Sequence, residues 1–132
     1  MFRFHKTLDI VTLFHKAASP ASVRAAAVLK QASANATEAA TEDRPQRPDF
    51  ELNITEEPPT ADQLKTILEY VGRNRISSIV KGAATENEAL KRFTENTDNL
   101  KYPVIVDWNN GKAIASDNES EILKMLEQQN GK

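Results

Sequence analysis

The sequence predicts an α/β fold, a mixed four-stranded sheet flanked by helices, on three observations. Ile10-Val11-Thr12-Leu13-Phe14 is a β-branched and aromatic run too short for a helix and almost free of polar residues, the pattern of a strand buried on both faces at the centre of a sheet. Capped helical patterns then alternate with strand patterns along the chain. Near the end, two apolar runs flank Asn109-Asn110-Gly111, and Asn-Gly is the strongest short-range hairpin signal.

After the first strand, Ser19 is a good N-cap and Pro20 suits the first helical turn, because its φ is already set and its missing N–H has no intrahelical partner to lose. Val23, Ala26, Ala27 and Leu29 continue an Ala-rich helix whose apolar face fades near Asn35. Residues 35–48 contain no large apolar side chain, so burial cannot offset their ordering entropy and a mobile insertion is expected there. Phe50 to Ile54 alternates apolar and polar residues as a half-buried strand does, and Pro58-Pro59 stops it. Thr60 caps a helix to about Val71 with Leu64, Ile67, Leu68 and Val71 on one face and Gly72 as its C-cap. Ile76 to Lys81 reads as a short helix ended by Gly82. Thr85 with Glu88 reads as a capping box for a helix to about Asn96 whose core contacts are Leu90 and Phe93. Pro103 to Trp108 and Lys112 to Ala115 are the hairpin strands. Asn118 with Glu121 caps a last helix bearing Ile122, Leu123, Met125 and Leu126.

Composition narrows the chemistry. The chain has 132 residues, 39% hydrophobic and 27% charged, which suits one domain over 1–132. It contains no cysteine, so a disulfide, a thiolate nucleophile and a Cys-ligated metal are all excluded for the chain acting alone. A net charge of −2 leaves no footprint for nucleic acid. No apolar run approaches membrane-spanning length, and a monomer is expected. Through Thr37, Arg3, Lys6, Lys16, Arg24 and Lys30 face a single acid, Asp9, with Phe2, Phe4, Leu8 and Phe14 interspersed. This pattern is that of a mitochondrial import signal, here retained, the alternative being a cytoplasmic protein. Two histidines and scattered acids show no metal-ligand spacing, and Asp107, Glu56 and Glu57 read as solvated loop charges. Glu86, Glu88, Lys91 and Arg92 read as an ordinary charged helix face. Trp108, beside an apolar strand, reads as core.

The order β-α-β-α-α-α-β-β-α, with the first two strands parallel across a helical crossover and the last two antiparallel, is the outline of the thioredoxin fold. Three segments carry a closer resemblance. Leu13-Phe14-His15 followed by Ser19-Pro20-Ala21-Ser22 resembles the active-site loop of glutaredoxins and arsenate reductases, with serine in place of cysteine. Glu56 to Leu64 resembles the Pro-Pro and Leu pattern that opens the corresponding arsenate-reductase helix, and Tyr102-Pro103-Val104-Ile105-Val106-Asp107 their Arg-Pro-Ile-Val-Val segment. The two ends of the chain, Met1 to Asp9 and Val106 to Lys112, are similar to those of a fungal family of mitochondrial redox proteins with a thioredoxin fold. That resemblance implies redox chemistry on small toxic molecules. It also implies that Pro103 is the cis-proline facing the active-site loop, where the preceding residue's main chain pairs with an extended substrate.

The departures decide what remains of that chemistry. A helix N-terminus lowers a cysteine's pKa in the redox families, and a serine there forms no mixed disulfide. The positions matching the oxyanion-binding arginines of arsenate reductases are Ile79, Tyr102 and Asp117, none cationic. The catalytic candidates are therefore Ser19 and Ser22, with His15 near enough in sequence to activate either. No Gly-x-Ser-x-Gly elbow accompanies them, and Ser19 reads equally well as a plain N-cap. An anion or thiol-ligand site is open to His15, Lys16, Pro20, Ala21, Arg24, Tyr102 and Pro103, through the N–H groups of Ser19 to Ser22 and the two cations. Two functions follow from these residues. One is an enzyme that borrows its thiol from glutathione, with no cofactor bound permanently. The other is a redox-inactive module binding a peptide, metabolite or anion beside Pro103.

Overall fold

The computed structural model describes residues 9–41 and 50–127. Strands β1 (Asp9–Phe14), β2 (Phe50–Thr55), β3 (Val104–Asp107) and β4 (Lys112–Ile114) form one sheet in the order β2-β1-β3-β4. β1 runs parallel to β2 and antiparallel to β3, and β3 antiparallel to β4. The apolar run of β1 is thus central, as its lack of polar residues requires. Alternation along the strands sends side chains to two cores. Phe14, Val104 and Val106 meet α2 (Ala61–Val71) and α3 (Glu86–Glu95) through Leu64, Leu68 and Phe93. On the other face Val11, Leu13 and Ile105 meet α1 (Pro20–Thr41) and α4 (Glu119–Glu127) through Leu29, Ile122 and Leu126.

Several boundaries differ from expectation, each for a physical reason. Helix α1 continues to Thr41, past the end of its apolar spacing. The alanine-rich sequence there propagates a helix already nucleated, without needing a buried face. The first seven residues of the expected insertion are therefore helical, and 42–48 lie outside the described residues, as does 1–8 with the expected import signal. The short helix after Gly72 is a 3-10 helix, Arg73–Ser78, rather than 76–81. Val80 leaves it to bridge Leu100. The first hairpin strand ends at Asp107, one residue short of the expected Trp108, so the turn is longer than Asn109-Asn110-Gly111. The register, Asp107 opposite Lys112, leaves residues 108–111 in the loop, with Gly111 at φ 65°. The capping side chains also differ. Thr60 and Gln63 form the full reciprocal box, but Glu88 reaches past Thr85 to the Ala84 N–H at 2.8 Å, and that bond holds its carboxyl below the usual range. Glu121 accepts from Ser116 Oγ at 2.6 Å instead of from Asn118.

Asp107 overturns its reading as a solvated loop charge. It is fully buried at the end of β3, where Asn110 Nδ2 donates to both of its carboxylate oxygens at 3.1 Å. Trp108 is core-packed as expected. Its ring stands edge-on to Phe14 and Tyr70, and Nε1 donates to buried Thr12 Oγ1 at 2.8 Å.

Candidate functional site

The loop from β1 to α1 is built by two serines with different tasks. Ser19 caps α1: its Oγ accepts from the Ser22 N–H at 3.2 Å, and its own N–H donates to the Lys16 carbonyl at 2.9 Å. Ser22, in the first turn, is fully buried. Its Oγ accepts the Lys16 N–H at 2.9 Å and lies 2.6 Å from His15 Nδ1. The hydroxyl thus joins the Lys16 main chain to the His15 ring. A Ser-His pair therefore exists, but its hydroxyl faces no solvent, so the pair serves to pin the loop. Of the four helix-start positions, Pro20 has no N–H and those of Ser19 and Ser22 are bonded. Ala21 alone keeps a donor for a ligand.

Above this loop lies a cavity of about 440 Å³. It brings together Lys16, Ser19, Ala21, Tyr102 and Pro103 from the sequence-derived set. His15 and Ser22 lie outside its lining, as do Pro20 and Arg24. The Tyr102-Pro103 bond is cis. No hydrogen bond to the Tyr102 main chain occurs among the described residues. Sequence reading missed Lys81, Asp98, Lys101 and Ser116, which also line the cavity. No local pattern marks them, because the chain order of the sheet alone gathers them.

Both cations expected to attract an anion carry partners. Lys16 Nζ contacts Asp98 Oδ1 at 2.5 Å and sits 5.2 Å from the centre of the Tyr102 ring. Arg24 binds Asp117 Oδ2 through Nε and a terminal nitrogen, each at 2.7 Å. The hydrogen bond from Lys16, helped by its charge, holds the Asp98 carboxyl below its ordinary value. Burial pushes the Tyr102 phenol up, against the pull of Lys16. Lys81 and Lys101 have no ion pair among the described residues. The rim thus offers two unpaired cations and two engaged carboxylates.

A family model described as "Protein of unknown function (DUF1687)" matches residues 2–117. The chain belongs to this family. A Schizosaccharomyces pombe protein named "Putative redox protein fmp46, mitochondrial" is 32% identical over 63 residues, 48% of this chain and 52% of that protein. The match thus spans about half the length of that relative. An arsenate reductase from Vibrio cholerae has a TM-score of 0.65 with this structure at 13% identity, covering 91% of this chain and all of that one. This likeness is one of fold, and it establishes the thioredoxin-like, arsenate-reductase-like architecture. In this DUF1687 chain Ile79 is buried and Tyr102 half-buried. The chain contains no cysteine. Among the described residues no helix is long and apolar enough to cross a membrane.

Proposed function

We propose that this chain is a mitochondrial, redox-related thioredoxin-fold protein that binds glutathione, or a thiol peptide of the same charge pattern, between Ser19 and Pro103. The observation that carries the reading is the composition of that cavity: unpaired Lys81 and Lys101, acceptors at Asp98 and Asp117, and an unengaged Tyr102 main chain around one space. A γ-linked tripeptide with two carboxylates, one ammonium and peptide N–H groups matches each of these in kind. The name of the Schizosaccharomyces pombe relative supports the redox setting and the mitochondrial address. The thiol comes with the ligand. Ser19 Oγ already accepts from Ser22, so its O–H proton is the part left to donate to a bound thiolate, and the Ala21 N–H adds a second donor. In reduction of a small acceptor, this thiolate and a second glutathione from solution give up two electrons and leave as the disulfide.

A second reading, a redox-inactive module for a peptide or metabolite, is favoured by the burial of Ser22, which keeps that hydroxyl from a substrate. One experiment separates them. Labelled protein is titrated with reduced and oxidised glutathione while the amides from Ala18 to Arg24 and around Tyr102 are followed by NMR. Saturable shifts confined to these segments are expected. Thiol-dependent turnover of a model electrophile that falls in Ser19→Ala supports the enzyme; background turnover in both proteins leaves the binding module. No shifts at millimolar ligand would overturn glutathione binding here.

A further inference from the structure

A cavity of about 650 Å³ lies away from the Ser19 site, along the free edge of β4. β4 ends the sheet, so among the described residues one side of its backbone has no partner strand. Which groups face outward follows from the register. Trp108 N–H donates to the Ile10 carbonyl, which makes Ile10 and Trp108 a hydrogen-bonded pair and, by alternation, points the Val106 backbone toward β1. Ile105 and Asp107 then bond Ile114 and Lys112, and Ala113, opposite Val106, turns its N–H and C=O out into the cavity. The two helical layers overhang this edge and form walls. Tyr70 and Arg75 stand on one side and Lys124 and Met125 on the other.

Neither Arg75 nor Lys124 has an ion pair among the described residues. Lys112 stands at the near end of the strand, and the carboxylate of Glu121 on the same lining is turned to Ser116. A cationic edge on a chain of net charge −2 is a local concentration, not a general property. We infer that β4 takes up an extended, acidic segment of another protein as a fifth strand, its main chain pairing with Ala113 and its side chains alternating between the walls that carry Arg75 and Lys124. Main-chain pairing on an open edge supplies affinity, and the walls supply selection by charge. A second copy of this chain would bring the same cations against themselves across a β4–β4 pair, which disfavours it as the occupant.

The test uses the full chain and a fluorescein-labelled peptide of repeating Glu-Glu-Val-Val, which sets Glu on both faces of the added strand, read by anisotropy. Saturable binding is expected, weakening with salt. A Lys-Lys-Val-Val repeat is expected to bind on the order of tenfold more weakly or worse, and the double variant Arg75→Glu/Lys124→Glu to lose a similar factor for the acidic peptide. Ala113→Pro removes the outward N–H without removing a ladder bond, and about a tenfold loss is expected from it. Should that variant melt early, the acidic peptide N-methylated throughout, tested on the parent chain, asks the same question, and it should not bind. Equal binding of both peptides, binding indifferent to Ala113→Pro or to N-methylation, or no saturation at millimolar peptide would each overturn the inference. So would a β4-dependent dimer in sedimentation.

Discussion

Ser19 and Ser22 stand three residues apart and differ in what their loss does. Ser22→Ala removes the acceptor of the Lys16 N–H and the partner of His15 beneath the loop, and an unpaired buried donor costs about 1–3 kcal/mol. Ser19→Ala removes one capping acceptor at a half-buried position, a loss of about 1 kcal/mol. Urea melts should therefore rank Ser22→Ala as the less stable, while only Ser19→Ala changes thiol-dependent behaviour. The Lys16–Asp98 pair gives a titration to follow. Asp98 is held below its ordinary value of 3.8, first by the hydrogen bond from Lys16. The pair's contribution is thus complete above 3.8 and is lost as pH falls through the lower, folded midpoint. Carboxyl NMR should place the Asp98 midpoint below 3.8 in the parent and closer to it in Lys16→Met. The same variant should raise the Tyr102 phenol further, because burial remains and the lowering charge is gone.

The β3–β4 hairpin turns on one conformation. Gly111 sits at φ 65°, where an L side chain is strained, and an added Cβ would meet the Tyr70 ring at an ordinary 3.7 Å. The cost of Gly111→Ala is therefore conformational, about 1–2 kcal/mol, and Gly111→Asn should cost less because Asn visits this region more readily. The denaturation midpoint, read from the single tryptophan beside the loop, checks both. Elements of this kind show what a sequence discloses. Asn-Gly announced the hairpin, since φ above zero requires such a residue, but the loop length was set by the Asp107–Lys112 register, a tertiary property. Thr60 declared the start of α2 correctly, because capping is local. The end of α1 was misplaced because apolar spacing was taken as its limit, and alanine-rich sequence carries a helix beyond it. Asp107 was misread because the turn follows it in sequence, while in space it lies between β1 and β4 and under Asn110.

The assembled molecule brings Lys16, Asp98 and Asp117 to one cavity, although roughly eighty or more residues of chain separate the first from the other two. Loop serines and Pro103 were legible, since each has a local signature, but the charges that balance Lys16 and Arg24 were not. Only the order β2-β1-β3-β4 places them. That gathered site makes ligand binding a property of global stability. A ligand at ten times its dissociation constant stabilises the folded state by about 1.4 kcal/mol, roughly 4–7 °C in a domain of this size. Glutathione and S-methylglutathione share their carboxylates, ammonium and peptide groups and differ only at sulfur. If Ser19 holds a thiolate, the shift with glutathione should grow from pH 7 to 9 as the thiol ionises, that with S-methylglutathione should stay level, and Ser19→Ala should remove the difference. Level shifts of equal size for both would mean that the groove reads the peptide and ignores the thiol, which leaves the binding module. With no cysteine in the chain, melting without ligand should be the same in reducing and oxidising buffers, so any redox dependence measured in these melts belongs to the ligand.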